Sequence, residues 1–162
     1  MAFRRSDTRG DLIMLRAGTS VPAINKTIAG SKPGDTIFFD AGDYVCESTI
    51  LLKANRRYVG TGRSSRLLQA PATQLDFLID FDPSEPSPRE DVFMRDIFLD
   101  GNRANNTTYT AGSGFTANNG LRLFNVLNSS FQRVTARHFG RDGVVLDGSG
   151  GDFDHSSAQR WF

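Results

Sequence analysis

The chain of 162 residues has one cysteine, two histidines and three lysines, and each scarcity narrows what it can be. Cys46 has no second cysteine to pair with, which excludes an internal disulfide. It lies in the strand-like run Tyr44 to Cys46 and reads as a small buried hydrophobe. No apolar run approaches the roughly 18 residues that span a bilayer, and Met1 to Arg5 has no signal-peptide core, so no membrane partner is expected. A net charge of +1 supplies no bulk field for nucleic acid or an anionic surface, so no nucleic acid is expected either, and recognition must be local. Lysine is scarce because 16 of the 19 basic residues are arginine. The planar guanidinium suits carboxylates, including those of acidic sugars, although GC-rich codons give the same bias without any function.

Helical signals are also scarce. Thr19 or Ser20 is placed to cap one short helix with Pro22 in its first turn, Ile24 and Ile28 on one face, and Gly30 as its stop. Residues 1–18 read as an N-terminal arm or first strand, and residues 19–162 as one domain. From Asp35 onward the pattern is short β-branched and aromatic runs bounded by Gly, Asn, Asp or Pro. These are Thr36 to Phe39, Asp43 to Cys46, Thr49 to Leu52, Arg57 to Val59, Arg66 to Leu68, Phe77 to Ile79, Ile97 to Leu99, Leu121 to Leu123, Arg133 to Ala136 and Val144 to Leu146. Two stretches read as loops: Asp82 to Pro88, with three of the six prolines, and Asn102 to Asn119, rich in Asn, Thr and Gly.

The segment Phe131 to Phe139 recurs as Phe153 to Trp161, 22 residues later, and Gly120-Leu-Arg-Leu recurs as Gly143-Val-Val-Leu at nearly the same spacing. Self-similarity at such a period predicts a stacked solenoid. Aligning Met94 to Asp100 with Phe131 to Arg137 needs an offset of 37, so a 15-residue insertion hangs on one repeat. Stacking at about 4.8 Å then makes columns of residues distant in sequence. Ile97/Val134/Ser156 and Leu99/Ala136/Ala158 point inward; Asp96/Arg133/His155, Phe98/Thr135/Ser157 and Asp100/Arg137/Gln159 point out.

The span Gly34 to Tyr44, followed by Ser48 to Lys53 and Val59 to Gly62, resembles the opening coils of the pectin-lyase-like superfamily, and its pectate-lyase-3-like and mannuronan-epimerase-like branches in particular. The segment Met94 to Arg103, with its Asp-Gly-Asn turn, is similar to a coil of those branches. The resemblance covers roughly residues 20–162 and implies an all-β fold: a right-handed parallel β-helix with a short N-terminal capping helix. It also implies action on an acidic polysaccharide, as a lyase, epimerase or glycoside hydrolase. The stretch Gly140 to Gly148 does not match the Asp-Pro-His-type motif of the epimerase-like branch, and the polygalacturonase motifs are missing, so no catalytic residue is carried over from the family.

The outward columns supply the candidates directly. Asp100, Arg137 and His155 are the catalytic set, and Asp96, Arg133 and Gln159 the substrate-binding set, with an arginine pairing a uronate carboxylate while Asp100 or His155 moves a proton. The alternative is that Asp96 over Arg133 and Asp100 over Arg137 are cross-strand ion pairs that stabilise a sheet. His138 reads as a packed or solvated turn residue beside Phe139, which leaves His155 as the better acid–base candidate. Asp142, Asp147, Asp152 and Asp154 form an acidic cluster, but Asp-Gly turn chemistry explains the first two, so no metal or other cofactor is expected and calcium is not supported.

The functional alternative is a non-catalytic structural or adhesive β-helix, such as a phage tail-spike or virion component, and either reading implies an extracellular or virion location. Arg160 to Phe162 falls within a repeat, so further C-terminal coils or a homo-oligomer, such as a trimer, are expected to cover that end.

Overall fold

The computed structural model describes residues 10–106 and 118–148. Among the described residues the fold is all-β with one α-helix. In chain order the elements are β1 (Leu12–Leu15), α1 (Val21–Gly30), β2 (Thr36–Phe39), β3 (Gly42–Cys46), β4 (Ile50–Leu52), β5 (Arg57–Gln69), β6 (Phe77–Phe81), β7 (Arg89–Glu90) and β8 (Phe93–Asp100). A 3₁₀ turn (Arg103–Asn105) follows, then β9 (Asn119–Phe124), β10 (Val126–Leu127), β11 (Ser130–Gln132), β12 (Thr135–Arg137) and β13 (Val144–Asp147).

Every strand pairing among the described residues is parallel, and the pairings form three long ladders. The first runs β1, β2, the start of β5, the start of β8 and β11. The second runs β3, the end of β5, the end of β8 and β12. The third runs β4, β6, β9 and β13. Because β5 and β8 each serve two ladders, the first and second form one seven-stranded sheet, and the third is a separate four-stranded sheet. A short β7–β10 pair stands apart. From β2 onward the chain therefore visits the ladders in rotation, and from β5 each visit to a ladder pairs with the preceding visit to it.

One column from each ladder builds the core. Ile13, Ile37, Tyr58, Met94 and Phe131 align on the first. Tyr44, Leu67, Leu99 and Ala136 align on the second. Ile50, Ile79, Leu121 and Val144 align on the third. All belong to one apolar cluster, in which burying an Ile or Leu completely contributes about 1.5–3 kcal/mol. The two large polar side chains in these columns are satisfied: the Tyr44 hydroxyl donates to the carbonyl of Leu15, and the Tyr58 hydroxyl to that of Lys53.

Helix α1 buries Val21, Ile24 and Ile28 and packs against β4. Asn25 on the helix completes the contact. Its Nδ2 donates to the carbonyl of Thr49 and its Oδ1 accepts from the N–H of Leu51, so a side-chain amide covers backbone groups that an edge strand would leave bare. Ser20 is the N-cap residue of the helix but makes no side-chain capping bond, and Pro22 removes one of the backbone N–H groups such a bond would use. The Thr19 hydroxyl donates to the Arg16 carbonyl.

The 37-residue offset is the register of β8 with both β11 and β12. Val144 pairs with Leu121, so the Gly120 and Gly143 segments are stacked as well. Leu12–Leu15 is a strand of the first ladder, one of the two readings of the N-terminal residues. Two boundaries differ from the sequence expectation. Arg57 to Val59 and Arg66 to Leu68 belong to one long strand with an irregular middle. Arg133 does not begin a strand: it has φ 50°, and Asp96, one layer earlier, has φ 56°. These left-handed residues turn the chain between the first and second ladders, so Met94 and Ile97, three residues apart, both face the core.

Candidate functional site

The second ladder carries a line of charge across its outer face. Asp43 on β3 pairs with Arg66 on β5, and Arg66 lies beside Phe98 on β8, which pairs with Thr135 on β12. The adjacent column is Val45, Leu68, Asp100 and Arg137. Arg66 grips Asp43 with both ends of its guanidinium, Nε to Oδ1 at 2.8 Å and Nη2 to Oδ2. Its remaining nitrogen, Nη1, stands 3.7 Å from Oδ2 of Asp100. The other oxygen, Oδ1, accepts the N–H of Asn102 at 3.0 Å and lies 3.1 Å from Nδ1 of His138. The result is a chain of acid, base, acid and imidazole.

Local backbone chemistry puts His138 there. It leaves β12 in the left-handed region at φ 56°, which swings its ring back over the strand below. Gly101 lies beneath, where a Cβ would come within 2.5 Å of the His138 carbonyl, so only glycine lets the two layers meet. Backbone bonds from Gly101 N–H to the Arg137 carbonyl and from Arg103 N–H to the His138 carbonyl close the clamp.

Electrostatics follows from these contacts. The hydrogen bond from Arg66 holds the Asp43 carboxyl below the usual carboxylate range and raises the guanidinium's own proton affinity. Asp100 is 6% exposed overall, whereas the His138 side chain is 61% exposed, so a buried acid backs an accessible imidazole. Arg137 is exposed and makes no ion pair with another described residue.

The sequence-derived candidates separate accordingly. Asp100 and Arg137 are register partners, but Asp100 engages Arg66 and His138; Arg137 is not its ion-pair partner, which corrects the expected pair. Nor is Asp100 an exposed group on an open face, since Arg66, Asn102 and His138 gather over it. Asp96 and Arg133 do pair, through two hydrogen bonds of 2.6 and 2.7 Å, and Arg133 draws the Asp96 carboxyl below its ordinary range. That pair sits at a turn between ladders, where Arg133 takes both oxygens of Asp96 and Arg95 Nε stands 3.8 Å from Oδ2. His155 and Gln159 lie outside the described residues, as do Asp152 and Asp154. Of the acidic cluster within view, Asp147 accepts from Arg122 at 3.1 Å and Asp142 stands 3.2 Å from Arg141.

The outward columns do not pick out His138, Arg66 or Asp43 as site residues. Asp43 and Arg66 stand 23 residues apart, the spacing that also stacks Gly120 and Gly143, and extending the columns toward the N-terminus would have found them. Nothing local marks His138, whose partner is 38 residues away. Cys46 is buried, and burial pushes its thiol up to about 12, far from a reactive thiolate. Among the described residues, no group of three or more His, Cys, Asp or Glu is arranged to hold a metal ion. The chain matches no family model, no curated protein and no solved structure.

Proposed function

We propose that this chain is a right-handed parallel β-helix of the pectin-lyase-like kind, capped by α1, and that it binds and processes an acidic polysaccharide on the outer face of its second ladder. Three parallel ladders visited in rotation support the fold reading, because parallel strands joined by crossovers adopt the right-handed path almost without exception. The observation that carries the function is the Asp43–Arg66–Asp100–His138 chain with Arg137 open beside it. A buried carboxylate behind an exposed imidazole is a proton-transfer device, and a neighbouring arginine with no carboxylate of its own suits a uronate. Phe98 and Thr135, both half-buried on the same face, offer a ring and a hydroxyl to a sugar.

Incubation with alginate, pectate and glucuronan tests the reading: absorbance from unsaturated ends reports a lyase, new reducing ends a hydrolase, and NMR of the recovered polymer an epimerase. No change by any of the three, on any substrate, would sink it.

A second reading, a structural or adhesive β-helix of a virion, is favoured by the closed ion pairs. Asp96–Arg133 and Asp80–Arg122–Asp147 tie successive layers together side chain to side chain, as a rigid shaft requires. A trimer by light scattering together with no activity would select it. Either reading places the protein outside the cell or on a virion, and no helix among the described residues is long and apolar enough to cross a membrane.

A further inference from the structure

Resting on the polysaccharide reading of the second ladder, we propose that Asp100 locks His138 in its Nδ1–H tautomer, so that Nε2 is the proton-accepting atom of the site, and that Arg66 is the positioning residue that aims Asp100. Oδ1 of Asp100 accepts the Asn102 N–H and lies 3.1 Å from Nδ1 of His138. A carboxylate has only acceptors, so the proton of that bond belongs to Nδ1. A neutral imidazole carries a single N–H, and placing it on Nδ1 leaves the lone pair on Nε2. A carboxylate fixing the tautomer of a histidine that works through its other nitrogen is a general arrangement of acid–base and metal sites.

The surroundings hold this geometry from every packed element. Asp43 on β3 fixes Arg66 on β5 through two bonds, which leaves Nη1 facing Asp100 Oδ2 at 3.7 Å. Asp100 on β8 is thereby held from one side by Arg66 and from the other by Asn102 and His138. Arg137 on β12 is the remaining charge next to the imidazole in the chain, and no carboxylate among the described residues pairs with it. A solvated imidazole prefers its proton on Nε2, so the site inverts the ordinary preference.

The test is long-range ¹⁵N–¹H NMR of the full chain at alkaline pH, where imidazole is neutral. Loss of one of the two histidine patterns in His138→Gln assigns the signal. The expected result is a dominant Nδ1–H pattern for His138, a switch to Nε2–H in Asp100→Ala, and retention in Asp100→Asn, whose amide oxygen still accepts. Arg66→Met is expected to give a mixture. A dominant Nε2–H pattern in the wild type, or no switch in a folded Asp100→Ala, overturns the lock; an unchanged pattern in Arg66→Met overturns the positioning role. The wild-type spectrum decides even if Asp100→Ala fails to fold. A locked tautomer with every polysaccharide untouched would retain the dyad and reject the polysaccharide reading, so the two failures are distinguishable.

Discussion

Two charged groups four residues apart on β8 behave in opposite ways. Asp96 sits at a left-handed turn and is closed off by Arg133, which gives it both hydrogen bonds of its guanidinium. Asp100 shares its nearest arginine with Asp43 and spends its remaining capacity on Asn102 and His138. The first group ends among arginines, Arg133 and the adjacent Arg95. The second group ends in an exposed ring nitrogen. An ion pair one layer up neutralises, whereas an ion pair already claimed by a third residue orients and leaves something over for a ligand.

The sharpest way to test that contrast is to remove each acid in turn. Asp100→Ala is expected to lower polysaccharide turnover by about 10²–10⁴-fold, the range of a lost acid–base function, and His138→Gln by a comparable factor. Asp96→Asn is expected to leave turnover within about twofold, because the site receives nothing from that pair. Equal losses at Asp96 and Asp100 would erase the distinction. Leu99, fully buried between the two acids, offers the control for the scaffold they share. Leu99→Ala is expected to cost about 2–5 kcal/mol in chemical denaturation, with both clusters failing together.

Acid titration separates the pairs more gently. The Asp96 carboxyl is held low by Arg133, so its contribution to stability is fully present above the carboxylate's ordinary unfolded-state value and is lost as pH falls through the lowered folded value. Arg133→Met is therefore expected to be less stable than the wild type at neutral pH, with the gap closing in strong acid. A gap that persists there would mean packing and not charge. The smallest expected effect is on turnover by Arg133→Met, which should match the wild type within about twofold, while Arg137→Met should raise KM for a uronate polymer about tenfold, the loss of one charge-assisted contact.

Much of the layer arithmetic was legible in the sequence. The pairing of Phe131 with Met94 and of Ala136 with Leu99 follows from the repeat, and the short helix follows from Pro22, Ile24, Ile28 and Gly30. The Asp96–Arg133 contact was legible too, as one of two readings of the column. The site was less so. The columns single out Asp100 as a catalytic candidate, but the alternative they offer pairs it with Arg137, because register alone says which Cα atoms are neighbours and not where long side chains reach. Arg66 comes to Asp100 diagonally from the strand below, across the irregular β5 whose length no repeat predicts. Ordinary alternation also gives no warning of the left-handed φ at Arg133 or His138, since a period-two pattern assumes extended backbone throughout.

By itself the sequence determined most of the strands, helix α1 and the spacing that sets one layer over the next, because alternation, helix stop signals and a fixed repeat are patterns that one dimension carries. Tertiary structure alone decided which charges are spent and which remain. Gly101 lets the following layer lie close enough for His138 to reach back over Asp100, and Asp43 holds Arg66 in place from the layer before. Both are contacts between layers. Their energies depend on ångström-scale approach, which a one-dimensional pattern does not encode.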